Sequence, residues 1–289
     1  MVEAAVTTRC CLRVRRLIAV AGTAFSLCLA RTPAAAQPAQ PHPPRWSPAL
    51  DVTITAGGAD LWLATETFKP YLAPSTCRWC NVDALDAGVR DALVWRVTDA
   101  ADTISNVTGF VLMPFAAVGL DALAAGHDGA RSNVGEDLVL IAEAGVVAAN
   151  VTQLTKMLVG RERPFVHALA SAQKTRTREP ADNNLSFFSG HTAEAFALAA
   201  ASGTVGTLRG YRWAPLAWGV GGVVSATTAY LRIAADKHWL TDVVVGAVVG
   251  GAIGFAVPFL FHSAVDDTIR ASSASAPRTT ALQAFVVLW

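Results

Sequence analysis

The segment RIAADKHWLTD, residues 232–242, lies between two runs of nineteen uncharged residues, 213–231 and 243–261. Each run is long enough for a helix that crosses a lipid bilayer. Within the segment, His238 and Asp242 are four positions apart, so a helix that begins next to the histidine puts them on one face. A carboxylate there orients one imidazole nitrogen and leaves the other free for chemistry. The same spacing also fits an ordinary hydrogen-bonded pair, so the histidine is a candidate reactive group.

Further apolar segments precede these two runs. Residues 104–120 and 195–208 carry no charge, and 138–157 is apolar apart from a few polar positions that include Glu143. With 53% hydrophobic and 16% charged residues, the chain has more apolar side chains than its core needs, and lipid is the natural environment for the surplus. The sequence therefore predicts an all-α fold, a bundle of about five to six helices that spans a membrane. The shorter segments also fit a soluble exported bundle.

The first 36 residues have the features of an export signal. Four arginines near the start precede an apolar core at 17–30, and three alanines at 34–36 offer a cleavage site. An uncleaved signal anchor is the alternative. The predicted organisation is a signal peptide or anchor, a proline-rich linker, a single helical domain and a C-terminal tail without an assignable role, at residues 1–36, 37–48, 49–262 and 263–289.

Cys77 and Cys80 are the two cysteines that follow the leader. A Cys-x-x-Cys pair can be redox-active, form half of a metal site or close a small disulfide. Since no second cysteine or histidine pair with zinc spacing lies nearby, we favour a disulfide, with buried free thiols as the alternative. The sequence thus predicts no metal site.

Two stretches upstream of the opening segment add further reactive side chains. The stretch KMLVGRERP places Lys156 seven positions before Arg163, which directly precedes a helix-stopping proline. The stretch FSGH supplies Ser189, Gly190 and His191. Each stretch alone has an ordinary structural explanation, such as a helix end or a turn, but their combination is specific.

The ordered set Lys-x6-Arg-Pro, Ser-Gly-His and Arg-x5-His-x3-Asp resembles the three-part signature of the type-2 phosphatidic acid phosphatase and vanadium haloperoxidase superfamily. The motifs run from Lys156 to Asp242, and the apolar segments extend the likeness over residues 104–261. The sequence departs from the family pattern at Phe188, where proline is usual, and at Leu231, where serine is usual. Both departures concern the shape of a loop more than the chemistry.

The resemblance implies roles for eight residues. His238 is the nucleophile that forms a phosphohistidine, His191 protonates the leaving group, and Asp242 orients His238. The other five bind phosphate: Lys156, Arg163, Ser189, Gly190 and Arg232. The residue types agree, because phosphoryl transfer needs neutralised charge, an in-line nucleophile and an acid, and guanidinium groups bind phosphate oxygens at two points. The set needs neither a metal nor a cofactor.

Counting alternate crossings from an exported segment 37–102 places all three motifs on the exported side of the membrane. Arg209 and Arg212 then lie on the inner side, as the positive-inside rule requires. Five cations between residues 161 and 178 lie on the exported side, against the rule. The count therefore supports one shared site, and it leaves those cations to be explained.

Taken together, the sequence predicts a membrane phosphatase that acts on phosphate monoesters or diphosphates, with its active site on the periplasmic or extracytoplasmic face. Lipids are the favoured substrates, and a small phosphoester is the alternative. Three rivals stay open: a soluble exported acid phosphatase, a haloperoxidase with vanadate as cofactor, and a non-catalytic membrane protein that binds an anion. A net charge of +1 without a basic tract argues against nucleic acid as partner.

A few titratable residues lie outside the motifs. His42, His127 and His262 are expected at the surface. Glu143, inside an apolar run, is expected to face the bundle interior or a polar partner, because a charged group is costly in lipid.

Overall fold

The computed structural model of the protein describes residues 44–262. The expected export signal, most of the expected linker and the C-terminal tail lie outside the described residues. Within residues 44–262 the chain is helical, with one isolated β-bridge between Trp79 and Arg161 and no strand. The predicted all-α fold is therefore confirmed.

Seven helices of ten residues or more form the described bundle: α1 (Pro48–Thr67), α2 (Ala84–Leu93), α3 (Thr98–His127), α4 (Val134–Val159), α5 (Gly190–Arg209), α6 (Ala214–Ala234) and α7 (Leu240–Phe261). Helices α3 and α7 each contain a π turn, at Thr108–Leu112 and Val257–Phe261. Shorter helical segments join the long ones: Lys69–Leu72, Arg131–Asn133, Pro164–His167, Ser171–Arg176 and Pro180–Asp182. The helix count exceeds the five to six predicted. The prediction depended on apolar runs, whereas α1 and α2 have mixed polarity and add to the helices that those runs form.

Helix α5 lies at the centre of the bundle. It packs against α3, α4, α6 and α7, and thirteen of its residues are buried. A helix that is surrounded by protein needs small side chains for close contact, whereas a lipid-facing helix needs a wide apolar surface. This explains why the uncharged run at 195–208 is short and rich in alanine and glycine.

Three helical segments are long and apolar enough to cross a membrane: Thr98–His127, Arg131–Val159 and Leu240–Phe261. Large apolar side chains point outward from them, including Phe115 at 75% exposure and Val248 at 65%. The span predicted at 243–261 agrees with this set, whereas α6 does not belong to it. Glycine, serine and threonine residues lower the mean hydropathy of α6, although its length is sufficient.

The contact between α5 and α7 depends on three glycines of α7. A Cβ atom at Gly246 would lie 2.8 Å from the carbonyl oxygen of Ser189. Gly250 and Gly254 approach the next turns of α5 still more closely, since their Cβ atoms would lie 2.1 and 2.2 Å from carbonyl oxygens. Their spacing of four residues puts all three on the face of α7 that meets α5, and the missing side chains allow the two helices to pack closely.

Replacing Gly250 by alanine is expected to separate α5 from α7, because the new methyl group would meet the backbone of Ala193, which cannot move aside. We expect the free energy of unfolding to fall by about 1–3 kcal/mol, the usual cost of overpacking. Gly251→Ala is the matched control, since its Cβ meets nothing within 4 Å; there, alanine should be neutral or stabilise by up to about 1 kcal/mol. Thermal unfolding in detergent that ranks the two variants equally would contradict the close contact.

Cys77 and Cys80 form a disulfide, as predicted. The loop that contains it is hydrogen-bonded to the segment after α4, where Arg78 N donates to the carbonyl oxygen of Gly160 (2.9 Å) and Glu162 N donates to that of Trp79 (3.1 Å). The loop therefore fixes the middle of the Lys-x6-Arg-Pro motif.

The surface prediction is wrong for His262, which is only 5% exposed, whereas His127 is 42% exposed as expected. Nε2 of His262 lies 3.5 Å from Oε2 of Glu143. The prediction that Glu143 faces a polar partner is therefore confirmed, and the partner is the histidine that had been placed at the surface.

Candidate active site

A cavity of about 540 Å³ lies at the end of the bundle where α4 and α6 end and α5 and α7 begin. Six of the eight motif residues line it: Lys156, Arg163, Gly190, His191, Arg232 and His238. The expected convergence of the three motifs is thus observed. Ser189 and Asp242 do not line the cavity, and both are fully buried behind it.

Carboxylates hold the two arginines of the pocket. Nη1 of Arg232 donates to Oδ1 of Asp102 (2.6 Å) and to Oγ of Ser105 (2.9 Å). Nε of Arg163 donates to the carbonyl oxygen of Asp182 (2.8 Å), whose carboxylate lies 3.5 Å from Nη2. Burial alone would raise the pKa of Asp182, but Arg163 and Lys69 lower it overall, so the carboxylate stays ionised. These anchors fix the guanidinium groups before a substrate binds.

Lys156 reaches the pocket because Gly190 has no side chain. A Cβ atom at Gly190 would lie 3.1 Å from Nζ of Lys156, tighter than an ordinary contact. Gly190 is also the first residue of α5, and a helix N-terminus favours a bound anion. The wall of three cations attracts an anion and repels a metal ion.

His238 is held differently from the prediction. Its Nδ1 lies 2.8 Å from the carbonyl oxygen of Ser186, whereas Oδ2 of Asp242 is 3.6 Å away, too far for a hydrogen bond. A carbonyl oxygen only accepts, so Nδ1 carries the proton and Nε2 keeps its lone pair. Nε2 has no hydrogen-bond partner within residues 44–262. The tautomer is the expected one, but Ser186 fixes it directly.

Asp242 stabilises the surroundings of His238. Its carboxylate accepts from Oγ of Ser186 (2.5 Å), from N of Trp239 (2.9 Å) and from Nη1 of Arg161 (2.5 Å). Asp242 thus positions Ser186, whose carbonyl oxygen positions His238. The influence of Asp242 on the histidine passes through one intermediate residue.

Arg161 lies at the centre of a buried network of ion pairs, and the motifs gave no indication of this role. It is 1% exposed, and its guanidinium joins Asp242 on α7 to Asp86 on α2, with Nη2 2.6 Å from Oδ2 of Asp86. The same group lies 4.0 Å from the ring centroid of Trp79. Three of the five cations between residues 161 and 178 thus have a carboxylate partner, since Arg161 and Arg163 are paired and Lys174 binds Glu162 at 2.6 Å.

Ser189 departs from its predicted role as a phosphate donor. Its side chain is 0% exposed, and its Oγ accepts from Oγ1 of Thr192 (2.9 Å). Its backbone N donates to the carbonyl oxygen of Asp242 (3.0 Å). The close approach of α7 at Gly246 turns this residue into the interior. Ser189 therefore joins the start of α5 to α7.

His191, the second residue of α5, lines the pocket together with Arg163 and Arg232. Its Nε2 is 2.7 Å from Oδ1 of Asn106, and its ring centroid is 4.3 Å from that of Phe110. An amide oxygen accepts a hydrogen bond from the imidazole whether the ring is neutral or protonated. Asn106 therefore suits a histidine that gains and loses a proton.

Both histidines have pKa values well below the ordinary 6.5. Burial lowers the pKa of His238 most, and Arg163, Arg232 and Lys156 lower it further. Burial and then Arg232 are the main causes of the same shift at His191. Both rings are therefore neutral at pH 7 before an anion binds. A neutral ring has the lone pair that a nucleophile needs, and a bound phosphate raises both pKa values because it offsets the cations.

The motifs did not identify several polar residues of the pocket wall, including Asp102, Asn106, Asp182 and Glu194. Two of them had a detectable signal, since Asp102 and Asn106 lie just before and within an apolar run, where polar groups are costly. Asp182 lies in a polar stretch and gave none.

At one end of the helical bundle, three cations and two neutral histidines line a single pocket. Such a pocket is typical of proteins that bind a phosphoryl group and transfer it, because the cations attract its oxygens and the histidines can act as nucleophile and acid. Residues 137–265, which contain most of this site and all three motifs, match the PAP2 superfamily. The match agrees with the resemblance that the three motifs carry, and it supports a phosphoric ester hydrolase.

One solved structure is similar to this chain. It is a crystal structure of a transmembrane PAP2 type phosphatidylglycerolphosphate phosphatase from Bacillus subtilis, with 15% sequence identity and a TM-score of 0.42. The similarity covers 80% of this chain and 98% of that chain. No curated protein matches the chain. The family match and the geometry of the pocket therefore carry the assignment.

Proposed function

We propose that this protein hydrolyses phosphate monoesters or diphosphates of lipids through a phosphohistidine intermediate on His238. The observation that carries the proposal is the state of this ring. Ser186 holds Nδ1–H, so Nε2 keeps its lone pair in a pocket with three cations. Such a ring is a nucleophile next to a binding site for phosphate oxygens.

The reaction needs two steps. In the first, the lone pair of Nε2 on His238 bonds to phosphorus as the bond from phosphorus to the leaving oxygen breaks, and protonated His191 gives that oxygen its proton. In the second, neutral His191 takes a proton from water, whose oxygen bonds to phosphorus as the phosphorus–nitrogen bond breaks. Inorganic phosphate leaves, and one water is consumed. Lys156, Arg163 and Arg232 stabilise the charge on the phosphoryl oxygens throughout.

The shape of the cavity supports a lipid substrate. Its lining combines a polar part, with the cations and histidines, and an apolar part from α1, α3 and α4: Ala59, Trp62, Phe110, Pro114, Val146 and Ala149. A substrate with a phosphate joined to an apolar tail fills both parts, whereas a small phosphoester leaves the apolar part wet. Two of the three helices long enough to cross a membrane, α3 and α4, line this cavity, so such a tail is available from the bilayer.

The disulfide supports an active site on the exported face. Cys77 and Cys80 lie in the loop that is hydrogen-bonded to residues 160–162, at the pocket end of the bundle. Disulfides form and persist in oxidising compartments outside the cytosol. The pocket therefore opens on the same side of the membrane as the oxidised cysteines.

The test is an assay of the full-length protein in nanodiscs with phosphatidate, an isoprenoid diphosphate and a water-soluble phosphomonoester. We expect phosphate release with higher kcat/KM for the lipids, together with an acid-labile phosphoenzyme. Partition of the protein into the aqueous phase after detergent extraction would favour the soluble phosphatase. Peroxide-dependent halide oxidation with added vanadate, without phosphate release, would favour the haloperoxidase.

His191→Ala is expected to affect substrates unequally. Loss of a general acid should slow hydrolysis of alkyl phosphate esters by roughly 10²–10⁴, but p-nitrophenyl phosphate much less, because its leaving group needs little protonation. The measurement is kcat for both substrates, with trapping of the phosphoenzyme on His238. Equal losses on both substrates would contradict the assignment of His191 as the acid.

Binding of a phosphate mimic is expected to take up protons near pH 6. Both pKa values lie below 6.5 in the empty pocket, and a dianion raises them, so the complex binds more protons than the free protein. Calorimetry with tungstate in two buffers of different ionisation enthalpy measures this uptake. His191→Gln should reduce it, whereas a binding enthalpy independent of buffer would contradict the electrostatic description of the pocket.

A further inference from the structure

We propose that Asp51, Glu143 and His262 bind a divalent transition-metal ion of the zinc type at a site separate from the phosphate pocket. One donor atom from each of the three residues lies within 4.8 Å of the other two. All three residues are buried, with 3%, 6% and 5% exposure. Two carboxylates and one imidazole form a donor set that Zn²⁺ and related ions accept.

Two buried atoms of this cluster that lie near each other without a hydrogen bond point to a metal ion. Oε2 of Glu143 and Nε2 of His262 are buried without a hydrogen-bond partner, and they are 3.5 Å apart. A shared proton would draw the two atoms to about 2.7–2.9 Å. Two ligands at about 2.0–2.2 Å from one zinc ion are separated by roughly 3.0–3.6 Å, so the observed distance suits a metal ion between them.

The backbone prepares His262 for this role. Its Nδ1 lies 2.9 Å from the carbonyl oxygen of Arg45, which only accepts, so Nδ1 carries the proton. Nε2 then presents its lone pair towards the carboxylate of Glu143. Histidines that bind metals commonly donate their other ring N–H to a carbonyl or carboxylate in this way. Asp51 is ordered similarly, since its Oδ2 accepts from N of Ser47 (2.8 Å).

The ion would join three parts of the chain that are distant in sequence. Asp51 lies in the first turn of α1, Glu143 is on α4, and His262 follows α7 directly. A cavity lined by all three residues adjoins the cluster and leaves room for a water ligand. Glu143 precedes Lys156 by thirteen residues, or about 20 Å along α4, so the ion takes no part in phosphoryl transfer. Its role is to fix α1, which forms one wall of the phosphate pocket.

The test uses the full-length protein, purified through a tag without histidine and exchanged into metal-free buffer. We expect about one Zn²⁺ per chain after loading, a fall in the unfolding temperature with chelator, and its recovery with Zn²⁺. Co²⁺ loading should give visible absorption bands. Glu143→Gln and His262→Gln should weaken Zn²⁺ binding by about 10²-fold or more. Loss of a group that only hydrogen-bonds to a metal ligand already lowers metal affinity by about 10- to 100-fold, and loss of a ligand itself should have at least this effect.

The control is His127→Gln, which changes an exposed histidine beside Asp128 and should bind Zn²⁺ as the wild type does. Chelation and reloading of the wild-type protein keep the test valid if a variant does not fold. An unfolding temperature that responds to neither chelator nor Zn²⁺ would overturn the proposal, and so would unchanged affinity in Glu143→Gln. Either result would leave a histidine–carboxylate ion pair as the explanation, without affecting the proposed phosphatase activity.

Discussion

Replacement of His238 by alanine is expected to reduce kcat by about 10⁵–10⁶-fold, the effect of removing the nucleophile of a serine protease. In the proposed mechanism the ring forms the bond to phosphorus, and no other side chain of the pocket offers a lone pair from a ring nitrogen at the same place. The measurement is phosphate release under single-turnover conditions, combined with labelling by substrate phosphate, which should disappear.

The matched control for this experiment is His167→Ala. His167 lies near the motifs and contacts Glu162 at 3.0 Å, but it does not line the pocket. Tungstate binding should persist in His238→Ala, because the cations remain, and it shows that the variant is folded. A phosphoenzyme in folded His238→Ala would reject His238 as the nucleophile.

Asp242→Asn is expected to reduce both stability and activity. The substitution removes one of the two carboxylates that compensate the buried Arg161, and breaking such a pair typically costs 3–5 kcal/mol. In the folded fraction we expect kcat to fall by about 10²-fold or more. The loss should stay below the 10⁴-fold seen where an aspartate contacts the catalytic histidine directly, because here Ser186 intervenes.

Ser186→Ala separates the two effects of Asp242. It removes the hydroxyl that donates to Asp242 but keeps the carbonyl that accepts from His238, so its effect on kcat should be smaller than that of Asp242→Asn. Denaturant unfolding and kcat, measured on both variants, test this order. A larger loss of kcat in Ser186→Ala would show that the hydroxyl has a role beyond positioning.

Much of the fold could be predicted because a long helix of this protein corresponds to one continuous apolar run of the sequence. The apolar runs at 104–120, 138–157, 195–208, 213–231 and 243–261 all correspond to long helices, since apolar length determines them. Run length alone did not separate α5, which is enclosed by protein, from α7, which faces outward. That distinction depends on which neighbours pack around a helix.

The candidate site could be predicted in its composition but only partly in its contacts. Lys156, Arg163, His191, Arg232 and His238 meet as expected. The spacing of four between His238 and Asp242 correctly indicated proximity, but a hydrogen bond depends on tenths of an ångström and on the course of another loop. That loop supplies the carbonyl oxygen of Ser186, 52 positions away.

The sequence by itself determined the helices, the three motifs and the reactive residue types, because each is encoded within a few turns of chain. Only the tertiary structure decided that Arg161 joins Asp86 to Asp242, across separations of 75 and 81 residues. The same holds for the cluster of Glu143 and His262, which no spacing rule reveals. Contacts of this kind arise from the packing of distant helices, and local periodicity carries no information about which distant polar groups then meet.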